Sequence, residues 1–325
     1  MAFLLTFVLR RLAQGAVIVV IVSFTIFALL RIVPGDPVRL MLGPLTPDNV
    51  VEETAQKLGL RDPIPVQYAR YLMSVAQGDF GTSFNRAPSG ASVAGGRDGK
   101  LGERASVKSL ILEGLPYTLQ LAALGLSFTA IIAIPLGLLG GVYANRWPDQ
   151  LALYVSSIFV SLPNFWLAIV FALIFSAKLG WIPSIGYQGF SYTILPALVI
   201  AVEVAPVFIR SLSVTVASNL QQPYVEIGRL RGLTNRRLFL FHVLRNSAVP
   251  ILNLFGVQLG MLLGGVLIVE YVFSYPGIGF TTVQAVLLRD FPTIQGIAIL
   301  SSAAFVVINL LVDLVSAYID PRLSY

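Results

Sequence analysis

The chain has 325 residues, of which 56% are hydrophobic and 12% charged, with mean hydropathy +0.81, net charge +6 and no cysteine. Soluble domains carry roughly 25% charged residues, so the composition excludes an ordinary water-soluble enzyme or binding domain. The missing cysteines exclude disulfides and thiolate metal sites, and a single histidine, His242, speaks against a histidine-rich metal or proton-relay site.

The first apolar run, Leu12 to Leu30, is longer than the hydrophobic region of a secretory signal, and no small-residue cleavage site follows it. It reads as a first spanning helix. Five more runs of the length that a bilayer core near 30 Å requires follow at about 115–142, 151–177, 193–213, 250–272 and 295–317. The resulting organisation is a cytoplasmic N-terminus (1–11), a first span (12–30), an extracytoplasmic segment (31–114), a five-helix core (115–317) and a cytoplasmic C-terminus (318–325). Arg10, Arg11, Arg146, Arg322 and five arginines between the fourth and fifth runs then fall on one side, as the excess of internal Lys and Arg in membrane proteins demands. The basic charge is thus accounted for by topology, and no nucleic-acid partner is expected.

Within the long external segment, Thr46-Pro47-Asp48 predicts a short helix ended by Gly59, and a second helix is expected from about Pro65 to Ala76. The stretch from about 85 to 104, rich in Gly, Ser and charge, predicts a flexible loop.

The loop 219–249 concentrates charge in a sequence that elsewhere avoids it. It carries Arg229, Arg231, Arg236, Arg237 and Arg245 against one acid, Glu226. Placing five arginines in hydrocarbon would cost roughly 12–17 kcal/mol, so the loop is aqueous and its sign places it in the cytoplasm. Pro223 suits the first turn of a helix running to Arg231, and Gly232 suits the left-handed position after it. Thr234 is the expected N-cap of a second helix reaching about Asn246, before Pro250 opens the next span. Two helices about a glycine corner form a rigid cationic elbow, suited to docking a partner; the plainer reading is a loop that only fixes topology.

Charges inside spans mark functional sites by default. Glu203 is the most interior, and Arg210 lies two turns along the same face. Glu203 either faces an inter-subunit cavity and meets an amino group or a basic side chain of a cargo, or is a paired carboxyl holding helices together. Pro163, Asn164 and Trp166 predict a break or bend in the third span, serving as a hinge or as a static kink. Glu270 and Asp313, near span ends, are expected at the interface, and Tyr275-Pro276-Gly277 and Phe291-Pro292 are expected to form external turns.

Glu226, then Gly232 six residues later, then Leu244 resemble the EAA loop of ABC importer permeases, whose pattern is E-A-A-x3-G-x9-I-x-L-P. Ile227 and Gly228 replace the two alanines, His242 the isoleucine and Arg245 the proline. Motifs spread along the whole chain are similar to the dipeptide, oligopeptide and nickel branch of these permeases. They are RIVPGDP from Arg31, QGDFGTS from Gln77, LPYTL from Leu115, SLPNFW from Ser161, HVLRNSAVP from His242, EYVFSYPGIG from Glu270, DFPTIQG from Asp290 and YIDPR from Tyr318. The long first external segment resembles the first permease subunit of oligopeptide or dipeptide importers, relative to which residues 85–104 look like an insertion.

The resemblance implies an all-α, six-span type I ABC importer permease fold in a bacterial or archaeal cytoplasmic membrane, in contact with lipid. It implies a second homologous permease as partner, two cytoplasmic ATP-binding subunits that hold ATP and Mg, an extracytoplasmic substrate-binding protein, and a peptide, nickel chelate or haem as cargo. The chain itself then carries no cofactor. The coupling residues implied are Tyr224, Glu226, Gly228, Arg229, Arg231, Gly232, Leu233, Arg236, Arg237, His242, Leu244 and Arg245. Consistent with this, the only Gly-Lys pair, Gly99-Lys100, lacks the spacing of a phosphate-binding loop, since Ala94 stands at the first glycine position and Leu101 after the lysine. Two other classes compete. A secondary transporter would show paired intramembrane carboxylates or interrupted helices in both halves, and an intramembrane enzyme would show a reactive pair at membrane depth.

Overall fold

The computed structural model describes residues 2–32, 37–42, 45–57, 59–84, 86 and 104–319, and among these the protein is all-helical apart from one isolated β-bridge. The helices in chain order are α1 Ala2–Ile32, α2 Pro37–Leu42, α3 Asp48–Lys57, α4 Ile64–Ala76, α5 Val107–Val142, α6 Trp147–Ser161, α7 Asn164–Phe171, α8 Ser191–Leu220, α9 Pro223–Leu230, α10 Asn235–Leu238, α11 Leu244–Val272, α12 Ile278–Leu287 and α13 Phe291–Ile319. A wider π-helical turn, Ala172–Lys178, prolongs α7, and another, Phe239–Val243, joins α10 to α11. Five helices are long and apolar enough to cross a membrane, and the pair α6 and α7 makes a sixth span if its two halves, bent by 93°, count as one. The expected flexible stretch 85–104 and the C-terminal residues 320–325 lie almost wholly or wholly outside the described residues.

The chain divides into two compact units, residues 1–117 with 277–306 and residues 118–276 with 307–325. In the first, α4 lies against the later half of α1. The Tyr68 hydroxyl donates to the Val20 carbonyl at 3.0 Å and meets the Ser23 hydroxyl at 2.6 Å, while the rings of Phe24 and Phe27 present edges to Tyr68. Val107, Ile111, Ile278 and Ile297 form a core with Phe80, Leu115 and Leu300 packed on it. The two ends of the stretch between α4 and α5 are tied together there. Thr82 and Ser106 form the antiparallel bridge, Ser83 N–H donates to Ala105 O and Ala105 N–H to Arg86 O, both at 2.9 Å. Asp290, buried, accepts from the Ser83 hydroxyl, the Phe84 amide at 3.0 Å and the Thr293 hydroxyl at 2.9 Å.

The second unit is built round α8. Along α5 the small residues Gly125, Thr129, Ala133, Gly137 and Gly141 recur every four positions, and the three glycines among them lie against α8. A Cβ at Gly125 would stand 2.8 Å from Ile200 Cγ2, at Gly137 2.9 Å from Leu212 Cβ, and at Gly141 2.6 Å from Val216 Cβ. The partner positions advance in step with the glycines, so α5 and α8 run parallel, with backbones close because the seam lacks side chains. Gly141→Val should force the helices apart and destabilise the detergent-solubilised protein by about 1–3 kcal/mol. Ile131→Val, on the 68% exposed side of α5, should stay within about 0.5 kcal/mol; equal thermal midpoints for the two variants would contradict the seam.

The bent pair crosses alongside α8. Near the start of α6, Asp149 accepts from Ser213 Oγ at 3.3 Å towards the C-terminal end of α8. At the break, Asn164 reaches Glu203 near its middle. After the break, Gly186 N–H donates to Phe273 O at 2.8 Å and Tyr187 packs edge-on to Tyr275, whose hydroxyl meets Thr193 near the N-terminal end of α8. The two halves therefore traverse together the length that α8 traverses alone, and they count as one span. Leu162 and Pro163 are extended, with ψ 117° and 134°; for Leu162 the cause is the following proline, which pushes the residue before it out of the helical region. The break expected in the run 151–177 is therefore present, as two half-length helices.

Candidate functional site

The elbow between α8 and α11 is built from short-range signals. Pro223 opens α9 at a position where its missing N–H removes no hydrogen bond. Gly232 follows α9 with φ +78°, a conformation that glycine adopts without the Cβ penalty. Thr234 caps α10, its hydroxyl accepting from the Arg237 amide at 3.4 Å. The second helix does not stop near Asn246. It continues through the π-helical turn into α11, and Pro250 lies inside that helix instead of opening it. The elbow is thus joined to a spanning helix without a hinge on that side.

One face of the elbow is packed. Val225 and Val243 are buried with Leu212 and Val216 of α8, and Tyr224 and Phe239 pack against them. Gly228 is buried under Leu238, and a Cβ there would collide with the leucine's Cδ2. Asn219 Nδ2 donates to Ser247 Oγ at 2.8 Å, fastening the end of α8 to the start of α11. The other face is bare. Glu226, Arg229, Arg231, Arg236, Arg237, His242 and Arg245 are exposed, and Leu233 and Leu244 are half-buried. No ion pair with a described residue engages the five arginines. Among these charges stand Leu230, 83% exposed, and Phe241, 66% exposed. Cations interleaved with large apolar side chains on a rigid support have the composition of a docking surface.

The second group lies at membrane depth. Most of α8 is buried, but Glu203, Val207, Arg210 and Val214 are exposed and recur every three or four residues, forming one stripe. Asn164, at the start of α7, donates from Nδ2 to Glu203 Oε1 at 3.3 Å and accepts from the Phe165 amide through Oδ1 at 2.7 Å. Pro163 and Trp166 are exposed beside it. Leaving these two charges against lipid costs about 2.5–3.5 kcal/mol each at the centre of a span. Charges within spans therefore face protein or water-filled cavities.

Sequence reasoning missed a polar network joining α5, α8 and α11. Gln120 Nε2 donates to Thr193 Oγ1 at 3.1 Å, and Thr193 meets the Tyr275 hydroxyl at 3.1 Å. Glu270, expected at the interface, is fully buried and accepts from Thr118 Oγ1 at 2.7 Å. The turns expected around Tyr275 and Phe291 flank a helix, α12, that was not anticipated.

Two family descriptions match the chain: the inner membrane component of binding-protein-dependent transport systems over residues 133–325, and the N-terminal part of that membrane component over residues 4–122. Glutathione transport system permease proteins GsiC are similar over nearly the full length. The one from Salmonella paratyphi A (strain ATCC 9150 / SARB42) is 35% identical over 323 residues, 99% of this chain and 100% of the relative. The one from Escherichia coli (strain K12) is 34% identical over 322 residues, with the same coverage. Among solved structures, the MetNI methionine ABC transporter in an inward-facing conformation superposes with TM-score 0.56 at 18% identity, covering 65% of this chain and 96% of that chain. That likeness concerns the fold alone, a type I ABC importer permease. With family matches over both parts of its length, the chain belongs to the binding-protein-dependent transport system inner membrane components, the permease subunits of ABC importers.

Proposed function

We propose that this permease passes short peptides across a bacterial cytoplasmic membrane, paired with a second homologous permease as the first subunit of a peptide-type importer. Two ATP-binding subunits sit below it and an extracytoplasmic binding protein delivers cargo above. Its termini and the elbow face the cytoplasm, and the elbow docks on an ATP-binding subunit. Movement of that subunit then displaces α11 directly, because no break separates the elbow from this span. The observation that carries the reading is the elbow itself: five exposed arginines and an 83% exposed Leu230 on a support that is packed on its inner face. Peptide cargo is supported by the relatives, whose names carry glutathione, a tripeptide. It is supported too by the sequence motifs shared with the peptide branch.

Because the chain has no cysteine, Leu230→Cys provides a single thiol. In the assembled importer that thiol should form a crosslink to the ATP-binding subunit, and ATP-dependent uptake of di- and tripeptides into vesicles should require those subunits. Crosslinking only to lipid, or uptake driven by an ion gradient without ATP, would instead indicate a secondary transporter. ATP-dependent uptake of a nickel chelate or haem with no peptide uptake would move the cargo elsewhere in the family.

A further inference from the structure

We propose that Glu203 and Arg210 are the two poles of a subsite for a short zwitterionic peptide, with Asn164 positioning the acidic pole; this rests on the peptide-permease reading above. The two charges lie on the single exposed stripe of a helix that is otherwise largely buried, and Val207 between them is apolar. They are not partners of each other. Seven residues at 1.5 Å per residue set them about 10.5 Å apart along the axis, and no ion pair with a described residue engages Arg210. A carboxylate has about four acceptor positions, and Glu203 uses one on Asn164. The Asn164 amide is oriented, because its oxygen is taken by the Phe165 amide and only its NH2 group is left to face Glu203. It thus holds one carboxylate oxygen and leaves the other for a ligand.

The separation selects the ligand. An extended peptide spans about 3.3–3.6 Å per residue, so the ends of a tripeptide lie about 10 Å apart, and flexible Glu and Arg side chains accommodate a dipeptide. The ammonium end meets Glu203 and the carboxylate end meets Arg210, whose guanidinium fork matches a carboxylate in two-point fashion. A six-residue peptide overshoots the pair. The break after α6 fits the same use, since irregular backbone at membrane depth is tolerated where it borders a cavity or other protein. Selection by length and by both charged ends would then operate within the membrane, independently of the binding protein.

The test uses the assembled importer in lipid nanodiscs without its binding protein. The probes are tri-alanine, N-acetyl-tri-alanine, tri-alanine amide and hexa-alanine. The wild-type complex should bind tri-alanine about tenfold more tightly than either capped form or the hexamer. The acetyl penalty should disappear in Glu203→Gln and the amide penalty in Arg210→Gln. Each penalty is a ratio within one protein, so reduced assembly cancels, and the wild-type comparison decides even if a variant does not assemble. Equal binding of free and capped peptides, or a penalty that survives the matching substitution, overturns the subsite and assigns the charges to contacts with the second permease. If the complete wild-type importer with its binding protein takes up no peptide at all, the peptide-permease reading fails instead, which is a separate and distinguishable result.

Discussion

Gly232→Val should uncouple the importer, with ATP hydrolysis continuing in the assembled complex while peptide uptake falls about tenfold or more. Nothing lies within 4 Å of a Cβ added there, so crowding is not the cause. The cause is the backbone at φ +78°, which costs an ordinary L-residue roughly 1–2 kcal/mol and a β-branched one more. A penalty of that size shifts the elbow's population by about tenfold or beyond, and α9 leaves its seat under Leu238. Gly232→Asn separates this account from a general intolerance at the site, because asparagine adopts the left-handed region readily. Uptake should recover substantially with asparagine and not with valine. If both variants transport at the rate of the parent, the corner is not what holds the elbow in shape.

Asp290→Ala should release the two tied ends of the stretch between α4 and α5. The carboxylate accepts from Ser83, from the Phe84 amide and from Thr293 in a buried site. Alanine strands three donors, each worth about 1–3 kcal/mol when left unsatisfied, so a loss near 3 kcal/mol remains after water replaces part of the bonding. Hydrogen exchange should accelerate at the amides of Phe84 and Ala105, and proteolysis between residues 81 and 107 should quicken, while amides in α8 stay protected. Unchanged exchange at Phe84 would show that the neighbouring bridge suffices without the acid.

The spans were legible because hydrocarbon imposes a long apolar run whatever the fold does with it, and the elbow was legible because its signals act within four residues. Pro223, Gly232 and Thr234 each serve the turn in which they stand. The features that were not legible depend on partners remote in sequence. Glu270 is enclosed because Thr118, on another helix, completes its hydrogen bonding, and no local pattern announces that. The break expected at Pro163 is present, whereas Pro196, Pro206 and Pro250 lie inside their helices. The four-residue recurrence of small residues along α5 was present in the sequence, but only its facing helix identifies it as a parallel contact. In the charged stripe of α8, the spacing of Glu203 and Arg210 was readable, whereas their joint exposure and the grip of Asn164 were not.

The hydrogen bonds that join Arg86 to Ala105 and Ser83 to Ala105 close a ring in the chain ahead of the membrane core. Once closed, the ring's circumference is thermodynamically almost free to vary, since doubling a flexible loop adds only about 0.6 kcal/mol. Insertions and deletions between those residues can therefore accumulate without disturbing the helices. A compact reporter whose own termini are adjacent, grafted between residues 86 and 105, should leave the permease helices folded as before.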